Sequence, residues 1–223
     1  KLTTLPAEIG NLTRLQELVL HNNQLIELPT SIGNARQLRN LYIHTNKLTA
    51  LPASIGSLTQ LQTFYLFGNQ IAALPNEMEH LTQLRELNLN NNKLTALPAS
   101  IGNFIQLREL ASSHNQIRTL PASIGNLSRL RGLYIGHNQL TALPNELGHL
   151  TQLRELSLTH NQLTALPEEI WNLIQLQNLK LENNPLLGLS SKIGRLTQLQ
   201  FLSLSHNPIT ELPHEIGQLT RLQ

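Results

Sequence analysis

Apolar residues in this chain follow a fixed order that restarts every 23 residues. One unit sets Leu15, Leu18 and Leu20 ahead of Asn23, then Leu25, Leu28, Pro29 and Ile32. Leu153, Leu156, Leu158, Asn161, Leu163, Leu166, Pro167 and Ile170 repeat it without a slip. A fixed short period marks one structural unit stacked many times, with its core buried between neighbours. Within each unit, L-x-L alternates apolar and variable, the period of a strand with one buried face. So short a strand must pair with the same segment of the next unit. The chain returns over the far side, so the pairing is parallel. At about 4.8 Å per strand, the stack becomes a curved rod roughly 45 Å long.

The asparagines keep the same period: Asn23, Asn46, Asn69, Asn92, Asn115, Asn138, Asn161, Asn184 and Asn207. Each follows a strand, where the chain turns inward. An amide offers donors and an acceptor together. These side chains are therefore predicted to bind backbone groups of their own turn and the next, as an interior ladder that touches no ligand. Leu-Pro follows, at Pro6, Pro29, Pro52 and onward. Proline ends strand pairing and suits the start of a short helical turn. Residues 122–127 exemplify that turn, with Ile124, Leu127 and Leu130 directed inward. Glycine usually follows the isoleucine, as at Gly10, Gly33, Gly102 and Gly125, but Glu79 and Trp171 also stand there. A strict need for positive φ is thereby excluded. Trp171, the sole tryptophan, is expected to cover the rod's outer surface or to anchor a convex contact.

Written as L-x-x-L-x-L-x-x-N-x-L, the frame resembles that of the leucine-rich repeat family. The resemblance runs from Leu2 to Leu222. The 23-residue length with Leu-Pro and Ile-Gly is similar to the intracellular Ras-suppressor-like and bacterial branch. The resemblance implies an α/β leucine-rich-repeat solenoid: a curved right-handed coil with a parallel β-sheet on its concave face and short helical or 3-10 turns on its convex face. It also implies a protein–protein interaction module that binds a protein partner on the concave face. The alternative it implies is a substrate-recognition arm of a larger bacterial effector or signalling enzyme, for example a ubiquitin ligase, whose catalytic domain lies outside this chain.

Composition narrows the picture. The unbroken period predicts a single domain over 1–223, about nine full repeats with partial repeats at both ends and no evident caps. Lys1 and Gln223 both fall within a repeat, so an excised part of a longer protein is expected, or ends that pair, including end-to-end self-association. There is no cysteine; a reducing, cytoplasmic compartment is expected, or host cytoplasm for a secreted bacterial effector. A net charge of +2 does not call for nucleic acid. No stretch of eighteen apolar residues exists, so no membrane insertion is expected. Phosphate-loop glycines, a cysteine nucleophile and a Ser-His-Asp constellation are missing, so no intrinsic catalysis and no cofactor are expected.

Function should sit where the frame leaves freedom, in the columns that flank the strand leucines. Val19, Tyr42 and Tyr65, with His21, His44 and Phe67, fall on three successive strands near the N-terminal end. Aromatic side chains on an exposed sheet are enriched at interfaces. These six, with Tyr134 farther along the same column, are the candidate partner-binding residues. Phe64 and Phe104 occupy frame positions and are expected in the core. A second column holds His114, His137, His160 and His206. No carboxylate column completes a tetrahedral set there, so no metal site is expected. A third column holds Arg39, Arg85, Arg108, Arg131 and Arg154 beside Glu86, Glu109 and Glu155. It is expected to form a ladder of weak ion pairs; an acidic partner docking along the arginines is the alternative. Ser112 fills a buried leucine position, Ala35 replaces an outer leucine and Ser190 replaces the proline. Ser112 is expected to be a local weakness, with bound water for its hydroxyl.

Overall fold

The computed structural model describes all residues, Lys1–Gln223. Nine three-residue strands run in order: β1 Glu17–Val19, β2 Asn40–Tyr42, β3 Thr63–Tyr65, β4 Glu86–Asn88, β5 Glu109–Ala111, β6 Gly132–Tyr134, β7 Glu155–Ser157, β8 Asn178–Lys180 and β9 Phe201–Ser203. They form one sheet in sequence order. Every pairing is parallel and offset by one repeat, from Glu17 opposite Asn40 to Asn178 opposite Phe201. Equivalent residues therefore stack in straight columns. The central residue of each strand points into the filling, where Leu41, Phe64, Leu87 and Leu110 are buried. Its two neighbours face the concave side.

On the convex side lie ten 3-10 turns of five residues, from Ala7–Asn11 to His214–Gln218. Proline precedes nine of them at φ between −63° and −70°, the value its ring imposes. Ser190 reaches φ −68° without the ring, and its Oγ accepts the Lys192 N–H at 3.3 Å. The serine thus replaces a geometric constraint with a helix cap.

A core cluster of 54 buried residues runs through the stack, with Ala35, Phe64 and Phe104 in it. The asparagines line its edge. Asn115 Nδ2 donates to Leu89 O at 3.0 Å in the preceding repeat and to Ser112 O at 3.2 Å in its own. Its Oδ1 accepts the Leu94 N–H at 2.9 Å. The same pattern runs from Asn46 to Asn207, and Asn23 accepts from Leu2 N–H. Turning into the ladder needs a left-handed residue just before each asparagine. Asn22, Thr45, Asn91, His114, His137, His160, Asn183 and His206 have φ between 51° and 59°, and Gly68 has 67°. Asn, His and Gly tolerate that region best.

The convex glycines serve a different purpose. None has positive φ, Gly68 being the sole glycine that does. A Cβ on Gly125 would lie 2.5 Å from Glu146 O of the next turn. Glycine therefore lets neighbouring turns touch. This overturns the expectation for Trp171. At most of its positions the column is an interior contact between turns, and Trp171 is buried there with no partner for its indole N–H. The junctions after Glu79 and Trp171 are the least closely packed on the convex face. Ser112 is also buried, and its hydroxyl has no protein partner.

Candidate functional site on the concave face

Register brings the predicted aromatic residues together. Tyr42 on β2 and Tyr65 on β3 are directly opposite. Their rings meet edge to face with centroids 5.3 Å apart, an arrangement the ring quadrupoles favour. Two positions beyond the strands, His21 stacks on His44 at 4.4 Å, and His44 on Phe67 at 4.1 Å. Phe67 and Tyr65 join the two rows at 6.5 Å. The rings half-bury one another, while Val19 and His21 at the edge are exposed. No other element of the chain covers them. The Tyr65 hydroxyl donates to Glu86 Oε2 at 2.6 Å. That bond, with burial, holds the Tyr65 phenol well above its ordinary range. Burial, and then Glu17 and Glu86, raise Tyr42. Burial and the neighbouring His21 lower His44.

Tyr134 does not join this patch. It lies three repeats beyond Tyr65, on β6. Its ring folds over Gly132, where a Cβ would meet it at 2.9 Å. The hydroxyl donates to Glu155 at 2.8 Å. Tyr134 thus forms part of a separate central depression with Arg108, Arg131, Arg154, Glu109 and Glu155. Burial, and then the charges of Glu86 and Glu155, raise the Glu109 carboxyl above its usual range. The expected ladder of ion pairs is not formed. The ion pair of the chain is Lys192–Glu168; His80–Glu79 and His214–Glu215 become ion pairs only when those histidines are protonated. Tyrosine hydroxyls take one oxygen each of Glu86 and Glu155, and exposed arginines gain little from holding one rotamer.

His114, His137 and His160 form a second stack, with centroids 4.0 Å apart at each step. Parallel rings direct their lone pairs along parallel planes, which do not converge on one ion. No group of three His, Cys, Asp or Glu side chains has metal-binding geometry. His206 stands outside the stack. The signal that sequence reading missed here is conformational. Asn, Gly and His occupy this column because it requires the left-handed region, which Thr45 adopts despite its β-branching. No helix is long and apolar enough to cross a membrane.

A parallel sheet built one short strand per repeat, closed by 3-10 turns and bound by an asparagine ladder, defines a leucine-rich-repeat solenoid. The chain belongs to the leucine-rich repeat family: a model of the leucine-rich repeat region matches residues 1–92 and 73–166, and a leucine-rich repeat model matches 198–219. It is similar in structure to a leucine-rich repeat protein of Leptospira interrogans, at 42% identity and a TM-score of 0.96, over 100% of this chain and 57% of that one. It is also similar to the ectodomain of the Arabidopsis thaliana membrane receptor kinase GASSHO1/SCHENGEN3, solved with Casparian strip integrity factor 2. The identity is 34% and the TM-score 0.89, over 99% of this chain and 28% of that one. FLRT2, solved in an octameric complex with latrophilin 3 and Unc5D, matches at 25% identity and a TM-score of 0.77, over 97% of this chain and 68% of that one. The chain therefore spans just over half of the Leptospira protein's matched chain and under a third of the receptor's. A comparison with curated proteins finds no match.

Proposed function

We propose that residues 1–223 act as one protein-interaction domain that receives a protein partner on the concave face, centred on Tyr42, Tyr65 and Phe67, with Val19, His21 and His44 around them. The observation that carries this reading is the continuous run of stacked, half-exposed rings with no covering element. Such anchors supply most of the energy at protein interfaces. The hydrogen-bonded columns hold them in place before binding, so little ordering entropy is lost. Solved relatives in complex with peptide or protein partners support the class of ligand. Tyr134 serves as an outlying contact.

The test compares the intact chain with Tyr42→Ala/Tyr65→Ala/Phe67→Ala as immobilised bait, with quantitative identification of captured proteins. The expected result is loss of the proteins that the intact chain retains, with the urea midpoint nearly unchanged. Equal capture by the two baits overturns the reading.

A further inference from the structure

We propose that Arg108, Arg129 and Arg131 form a binding site for a phosphate group carried on a side chain of a partner protein. Arg108 and Arg131 precede β5 and β6 and are joined by the bond from Arg131 N–H to Arg108 O at 2.8 Å. Their side chains therefore start one strand apart on the rim of the sheet. Arg129 stands two residues earlier, on the ascending side. With Gln152 these three line one open notch of about 310 Å³ that contains no carboxylate.

Arg108 and Arg131 also border the depression that holds Glu86, Glu109 and Glu155, yet no ion pair forms between them. None of the three arginines belongs to any of the ion pairs. Arg129 donates one N–H to Gln106. The nearby carboxylates Glu86 and Glu155 accept from Tyr65 and Tyr134 instead. The column that holds Arg129 supplies an independent observation. It reads Gln37, Gln60, Gln83 and Gln106 before Arg129, and Gln152, Gln175 and Gln198 after it, with arginine otherwise at its two ends. Glutamine satisfies the frame, so Arg129 is an interior departure from it. That departure falls where it adds a third like charge beside Arg108 and Arg131. Arg129 raises the local positive charge of the notch, which favours an entering anion.

The chemistry of the notch selects the anion. A guanidinium presents paired N–H donors in a planar fork that matches oxyanions. Three such groups lining one notch offer donors for a group with three acceptor oxygens and close to two negative charges, a phosphate monoester. The notch lies two strands beyond Tyr65, on the rim, so this assignment does not depend on the aromatic patch.

The test follows the arginine Nε–Hε resonances of the full chain by NMR. Inorganic phosphate, a phosphoserine peptide and its unphosphorylated form are added at constant ionic strength. Saturable shifts are expected for Arg108, Arg129 and Arg131 with phosphate and the phosphopeptide, and none with the unphosphorylated peptide. Arg129→Gln, which restores the column's own residue, should weaken both by about tenfold, the order of one charge-assisted pair. Arg14→Gln should change nothing. Shifts that spread over all arginines without saturating, or an unchanged affinity in Arg129→Gln, overturn the site. Binding of inorganic phosphate without the phosphopeptide overturns its assignment to a protein-borne group.

Discussion

The imidazole of His137 lies flat against that of His114, with centroids 4.0 Å apart and planes 12° from parallel. His160 covers the other face at the same distance. Burial, and then the charges of His114 and His160, lower the His137 pKa. The unfolded chain, with histidine near its ordinary value of about 6.5, then binds more protons than the folded one as pH falls. Stability is complete above that value and declines as pH drops through the folded pKa. His44 acts in the same direction. Urea midpoints should fall between pH 7.5 and pH 5. His137→Asn keeps a residue suited to φ 52° and should flatten the decline. Parallel pH profiles for the two chains would refute the stack as its source.

Asn115→Ala removes both sides of a ladder rung. It strands Leu94 N–H and two or more carbonyls in the interior. A loss of about 1–3 kcal/mol is expected in urea unfolding, the cost of unsatisfied buried groups. Asn23→Ala, at the half-buried first rung, should cost less because water reaches the freed groups.

Gly125→Ala tests the close approach of the convex turns. Its Cβ would sit 2.5 Å from Glu146 O, a backbone atom that cannot swing aside. Overpacking of this kind costs about 1–3 kcal/mol. Gly217 has nothing within 4 Å of the same position. Gly217→Ala should change stability by less than about 0.5 kcal/mol. Equal effects at both sites would show that backbone entropy, not contact, governs the column.

Ser112→Ala removes a buried hydroxyl that has no protein partner. The change should be neutral or stabilising by up to about 1 kcal/mol. Destabilisation beyond that would place a bound water on the hydroxyl.

Leucines, asparagines and prolines were readable in advance because each keeps one fixed place in nearly all repeats. The parallel register followed from the period, and with it the adjacency of Tyr42, Tyr65 and Phe67. Adjacency of columns does not fix rotamers, however. The arginine and glutamate columns are neighbours, yet Glu86 and Glu155 took tyrosine hydroxyls instead. Trp171 was misplaced because glycine was weighed for its φ alone. A recurring glycine also reports two backbones in contact, and Trp171 in that place is buried between turns, whereas the Glu79 side chain reaches solvent.

The two loosened junctions behind Glu79 and Trp171 have a geometric outcome. Strands on the inner side are tied at hydrogen-bond spacing and cannot spread. A bulky residue driven between outer turns must therefore tighten the arc locally, as a wedge opens one side of a hinge. Trp171 makes the hollow's radius depend on a side chain that no guest in that hollow would touch.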